Sequence, residues 1–250
     1  MNTIGSPAWV TSTGGALGRR DQVRFALAAA AREVRVAAAG LSRGKGRVLD
    51  SDRTPPDTRL VIAMAELAAS ALPGPLLLHS TRTWVWGSML AEVDGIDYDD
   101  ELLYVAAMLH DLSLSESHQP PSDAGCFAVH GGAQARAHTL AAGADSDFAR
   151  QVDDAIAAHF NVKVPQSWGA EAHLLHAGAH FDIAGHRLGE IAPSTVTEVL
   201  DHAPRTGLID CVAAAMRDEV RLRPRSRAAL LTRLGMERSI RRVKFPGGDA

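Results

Sequence analysis

An all-α fold is predicted for this chain of 250 residues, and three observations carry the prediction. Ala and Leu recur at helical spacing, alternating runs of Val, Ile and Thr are scarce, and Gly and Pro gather in a few joints. No segment requires a strand.

In chain order, residues 1–20 are rich in Gly, Ser and Thr and read as a mobile lead-in. An Ala-rich helix follows over 21–41, with Asp21 as its N-cap. Residues 42–58, containing SRGKGR and TPPDT, read as a loop, so that 1–58 form a lead-in, helix and linker. Helices are then expected over 59–71, 77–93, 99–109, 131–142, 146–160, 169–183 and 193–201, punctuated by Pro-Gly, Asp-Gly and Pro-Gln. Together, 59–205 make the main domain. The remainder, 206–250, reads as a basic helical extension packing on it, one or two helices broken near Arg223-Pro224 because proline removes a helical donor.

Composition narrows the function classes. With 46% hydrophobic residues and a formal net charge of -3, the chain can bury a core and offers no global charge for nucleic acid. The end is an exception: 217–250 hold ten Lys or Arg against four Asp or Glu, a local +6. There, Leu230, Leu231 and Leu234 suggest an amphipathic helix with a basic face, suited to packing on its own or another subunit or to an anionic partner. Cys126 and Cys211 make no metal-binding or disulfide pattern, which suits a reducing cytoplasm. No apolar run reaches the ~18 residues of a membrane span, and no signal peptide is evident. The expectation is a cytoplasmic protein with a small-molecule partner, without nucleic acid or membrane, and with a homo-oligomer left open.

Several polar residues fall where apolar ones are expected. On the 146–160 helix, Phe148, Val152, Ala155 and Ile156 form a stripe opposite Asp153 and Asp154, and His159 lies inside that stripe. On 169–183, Leu174, Leu175, Gly178, Ala179 and Phe181 share a face with Asp182. A buried carboxylate costs several kcal/mol unless compensated, so Asp182 demands a partner. His173, His176 and His180 lie on the other face of that helix and read as a solvent-facing row. His79, Arg82, Thr83 and Trp86 share a face of 77–93. YVAAMLHDL ends an apolar helix in the doublet His110-Asp111, which could supply metal ligands or a core histidine and a cap.

His79, the His110-Asp111 doublet and the distant Asp182 together resemble the HD superfamily of metal-dependent hydrolases. The match spans roughly 75–188. Within it, LLLHSTRTWVWG, DDELLYVAAMLHDL, AIAAHF and HAGAHFDIAG look closest to the branch that includes cyanamide hydratase. The resemblance implies an HD-domain helical bundle with a divalent metal in its core, zinc or iron, held by His79, His110, Asp111 and Asp182. It implies hydration of a small nitrile by a metal-activated water. His159 matches a histidine usual in this branch and is a candidate proton shuttle or substrate contact, while Arg82 orients substrate or holds Asp111. Trp86, Phe160 and Lys163 are candidate substrate contacts, with Trp84, Phe127 and Trp168 as further wall candidates.

His130 keeps a second metal open, since two-metal HD proteins add two histidines between the doublet and the last aspartate; one metal per chain is favoured. A second metal would permit phosphohydrolase chemistry on a nucleotide or phosphorylated metabolite, or diiron oxygenase chemistry. Against phosphohydrolysis, no glycine-rich phosphate loop is present. A binding protein that uses the basic tail is the remaining alternative.

Overall fold

A computed structural model describes residues 3–40 and 46–247, with the side chains of 37–40 left aside. Residues 42–45 of the expected loop, 1–2 of the lead-in and 248–250 of the tail lie outside the described residues. Within them the fold is all-α: α1 (Pro7–Thr13), α2 (Arg19–Gly40), α3 (Arg59–Ala71), α4 (Gly74–Asp94), α5 (Asp100–Leu109), α6 (Phe127–Ala141), α7 (Ser146–Ala158), α8 (Ala170–Ala184), α9 (Pro193–His202), α10 (Leu208–Leu222), α11 (Arg227–Arg233) and α12 (Met236–Ile240). The helices form a bundle around one large apolar core.

Local signals set the helix starts. Thr58, Asp99 and Asp145 cap α3, α5 and α7 by accepting backbone N–H groups with their side chains, at 3.1 Å from Val61, 3.1 Å from Leu102 and 3.0 Å from Phe148. Gly95 and Gly185 close α4 and α8 in the left-handed region, at φ 66° and 63°. α4 and α5 are central: Leu102–Leu109 is buried throughout, and α4 is buried on nearly every side from His79 to Ala91. α8, α7, α3 and α10 pack around them.

The closest approach is between α4 and α8. A Cβ on Gly178 would stand 2.2 Å from the Thr83 carbonyl oxygen and 2.9 Å from the Gly87 nitrogen. Only glycine lets the two backbones meet there. This contact sets α8 in register against α4, and Asp182, one turn beyond Gly178, comes to lie over His79.

The lead-in is more structured than expected. The lead-in contains α1, whose Trp9 is 3% exposed and packs with Leu17 and Phe25 in a second apolar cluster. Asp21 lies inside the first turn of α2 and accepts the Trp9 indole N–H at 3.2 Å, so it is not the cap. The linker is anchored: Arg47 pairs with the 190–192 backbone at 2.8 and 2.7 Å, and Leu49 is buried. The break at Arg223-Pro224 ends α10 as expected, and two short helices follow it. Phe245 returns to the core, with the Arg205 guanidinium 4.0 Å from its ring centre. Cys126 and Cys211 are both free thiols. No helix among the described residues is long and apolar enough to cross a membrane.

Candidate metal centre

Helical spacing puts His79, Arg82 and Trp86 on the α4 face that meets α8. Asp182, fully buried, receives all three. Arg82 donates from Nε to Oδ1 at 2.8 Å and from Nη2 to Oδ2 at 2.9 Å, Trp86 Nε1 donates to Oδ1 at 2.9 Å, and His79 Nδ1 lies 2.7 Å from Oδ2. Arg205 donates to the Asp182 main-chain carbonyl and stands 3.3 Å from Oδ1. Burial alone would raise this carboxyl, but the Arg82 charge and the bonds from His79 and Arg82 hold it well below the usual carboxylate range. A carboxylate offers about four lone-pair sites, and four donors fill them. Arg82 spends its remaining Nη1 on the Ala203 and Pro204 carbonyls, at 3.2 and 2.8 Å.

His110 and His159 are placed by a shared device. Each is the C-cap residue of its helix, α5 and α7, where carbonyls lack helical partners. Each turns Nδ1 back onto the carbonyl three residues earlier, Ala107 at 2.7 Å and Ile156 at 2.6 Å. A carbonyl only accepts, so Nδ1 carries the proton and Nε2 is a bare lone pair in the neutral ring. The Asp182 carboxylate fixes His79 in the same tautomer.

These bare nitrogens converge. His79 Nε2 and His110 Nε2 are 3.2 Å apart, and Asp111 Oδ2 is 3.7 Å from the first and 3.4 Å from the second. His159 Nε2 stands 3.9 Å from Asp111 Oδ1. Ligand atoms of His79, His110 and Asp111 all lie within 4.8 Å of one another, and all three residues are buried. Acceptors alone meet here, an arrangement that could hold a cation. Burial would raise the Asp111 carboxyl, yet His110, His79 and His159 bring it below its ordinary value. Burial, with His110 adding to it, pushes the His159 imidazole down to about 3.

The cluster opens into a cavity of about 500 Å³. His79, His110, Asp111 and His159 form its polar end, and Phe160 lies beside them. Most of the other walls are apolar and come from α2, α8 and α10 to α12.

The expected site residues separate accordingly. His79, His110, Asp111 and His159 come together. Asp182 stands behind His79 and orients it, its oxygens taken by Arg82 and Trp86. Arg82 holds Asp182, so neither Asp111 nor a substrate is its partner. Trp86 is fully buried against Phe181 at 4.6 Å between ring centres and, bound to Asp182, forms no wall of the cavity. Of the aromatic wall candidates, Phe160 alone lines it. Lys163 is exposed and borders a neighbouring groove. His130, on α6 and half-buried near Arg223, joins neither the cluster nor the cavity lining. His159, expected to titrate near working pH, is held neutral by burial.

The histidine row on α8 differs most from expectation. It is not an open solvent face: His176 is buried, His173 and His180 are half-buried, and the row lines a groove bordered by α2 and the segment after α7. His173 Nδ1 bonds the Val164 carbonyl at 2.7 Å, His176 Nδ1 bonds the His159 carbonyl at 2.9 Å, and the His180 and His186 rings stack 5.4 Å apart. Arg32 of α2 reaches this row, its Nη2 donating to His186 Nδ1 at 2.8 Å. Nothing in the sequence of α2 announced that contact; the spacing of His180 and His186 was the available signal.

A helical bundle with a buried His-His-Asp cluster at the end of an apolar cavity defines a candidate metalloenzyme. Cyanamide hydratase DDI2 and cyanamide hydratase DDI3 of Saccharomyces cerevisiae are each 25% identical to the chain over 173 residues, covering 68% of this chain and 76% of each relative. The chain is thus a distant relative of cyanamide hydratases. No family model matches it.

Proposed function

We propose that the protein is a metal-dependent hydratase of the HD type, with the HD unit in residues 59–205, adding water across the carbon–nitrogen triple bond of a nitrile-like substrate. One observation carries the reading: three bare imidazole nitrogens and a carboxylate converge at the end of a cavity without a hydrogen-bond donor between them. His79 Nε2, His110 Nε2 and an Asp111 oxygen would hold one divalent cation, and imidazole with carboxylate suits zinc or iron(II). When bound, such a cation acidifies water towards neutral pH and polarises a nitrile.

The chain supplies the rest. Asp182 fixes the His79 tautomer and ring orientation. His159, neutral at physiological pH, offers Nε2 as an acceptor that orients the attacking water or a substrate amino group. The apolar walls exclude bulk water, which strengthens every charge interaction inside. In the reaction, oxygen bonds to the nitrile carbon as one π bond opens and a proton goes to nitrogen; the resulting imidic acid then passes its O–H proton to nitrogen as the second C–N π bond gives way to C=O, so both water protons end on nitrogen in an amide without any redox change.

Elemental analysis of protein purified without added metal, paired with an assay for urea formed from cyanamide, tests the reading. One zinc or iron per chain and urea formation abolished by Asp111→Asn are expected. Metal-loaded protein that forms no amide from cyanamide or any simple nitrile would overturn it.

A further inference from the structure

The cavity is far larger than cyanamide. Three heavy atoms occupy little more than a few waters at about 30 Å³ each. About 500 Å³ lies within the range of about 300–1,000 Å³ that encloses a drug-sized ligand. Its walls are apolar over several elements: Ala29 and Val36 of α2, Phe160 after α7, Ile183 of α8, Leu231 of α11 and Ile240 of α12. A very small polar substrate would leave most of that surface against water, which is unfavourable in proportion to the apolar area.

Arg32 interrupts the apolar walls. It lines the same cavity from α2, on a different element from every member of the metal cluster. Its guanidinium bonds the neutral His186, and among the described residues no carboxylate lies within ion-pair distance of it. The neighbouring Glu33 is 61% exposed and holds its Oε1 3.9 Å from His186 Nε2, and the exposed Arg242 also lines the cavity. Burial, offset in part by the Glu33 charge, lowers the Arg32 pKa to about 10, against an ordinary value of 12.5. A half-buried guanidinium with donors to spare is a recognition group for a planar oxyanion, above all a carboxylate.

Building on the hydratase reading, we propose that the natural substrate is an elongated amphipathic molecule, with an apolar body filling the cavity, its reacting nitrile-like group at the His79–His110–Asp111 cluster and a carboxylate held by Arg32. The hydration is the same addition of water; the carboxylate takes no part in bond changes.

Calorimetric titration of the metal-loaded protein with ω-cyanoalkanoates from cyanoacetate to cyano-octanoate, with the matching ω-cyano-alcohols as carboxylate-free controls, tests this. Each added methylene should tighten binding about threefold until the cavity is full. The acids should bind about tenfold or more tightly than the alcohols. Arg32→Ala should erase the preference for acids while keeping the dependence on length, and Arg32→Lys should retain part of it. Ile183→Trp should weaken the long acids most, with circular dichroism reporting the fold of each variant. Cyanamide hydration combined with binding indifferent to chain length and charge would overturn the inference and leave the hydratase reading intact. Acids bound as expected, with no nitrile hydrated, would remove the hydratase reading and keep the binding assignment.

Discussion

Asp182 Oδ2 lies 2.7 Å from His79 Nδ1, on the side of the imidazole away from His110 and Asp111. The carboxylate therefore acts through the histidine. It accepts the hydrogen bond from Nδ1–H and aims Nε2 at His110 and Asp111, and it is itself held by Arg82 and Trp86. The same carboxylate neutralises Arg82, a fully buried cation, so site geometry and core stability share one group.

Asp182→Asn should separate orientation from stability. The amide keeps the shape but weakens the acceptor for His79 and leaves Arg82 without its counter-charge. Metal affinity measured by competition with a chelator should fall about 10–100-fold. Urea unfolding should show a loss of about 3–5 kcal/mol, the usual cost of breaking a buried ion pair. Unchanged metal affinity would remove Asp182 from the centre.

His130→Ala should leave metal content at one per chain, because His130 stands apart from the cluster. His110→Ala should abolish it. Two metals per wild-type chain, one of them lost with His130→Ala, would restore the dinuclear alternative.

Gly178→Ala should cost about 1–3 kcal/mol, the range for overpacking a close-packed core, because the new methyl would meet α4 backbone that cannot rotate away. Metal affinity should fall as well, since the α4–α8 approach sets the distance from Asp182 to His79. Denaturation midpoints and chelator competition measure the two effects.

Stability should drop on mild acidification. Burial first, with Arg32 adding to it, holds His176 well below its ordinary value and His186 at about 3. Unfolded histidine takes up its proton near pH 6.5, so the unfolded state binds more protons below that value and stability falls with pH from about 6.5 towards 3. Each of the two should contribute about 1 kcal/mol per pH unit in urea titrations of metal-free protein. His159 and His180 are depressed by burial as well and add to the slope, so His186→Asn should remove one share of it and leave the rest.

Much of the fold was legible because its signals are local. α3 coincides with the expected 59–71, and Thr58 caps it; α7 follows its apolar stripe with His159 at its end. The His110-Asp111 doublet at the end of an apolar helix and the isolated Asp182 were visible as polar groups without local partners. The identity of Asp182's partners was harder, because Arg82 and Trp86 share the His79 face and a helical wheel cannot say which residue on a face meets which atom opposite. α2 was the real omission. Its Ala-rich sequence, punctuated by Arg and carrying exposed Val23, Leu27 and Val34, has no sharp apolar face, so its place over the α8 histidines rests on tertiary contact alone.

The cavity borrows its walls from both ends of the chain, α2 near the start and α11 and α12 near the finish, while the cluster comes from the middle. A growing chain emerges from the ribosome start first, so the histidines and Asp111 are out long before Met236 and Ile240. The pocket walls are therefore complete only after α11 and α12 have been made and have docked. Translation itself thus delays the walled cavity until α12 is in place.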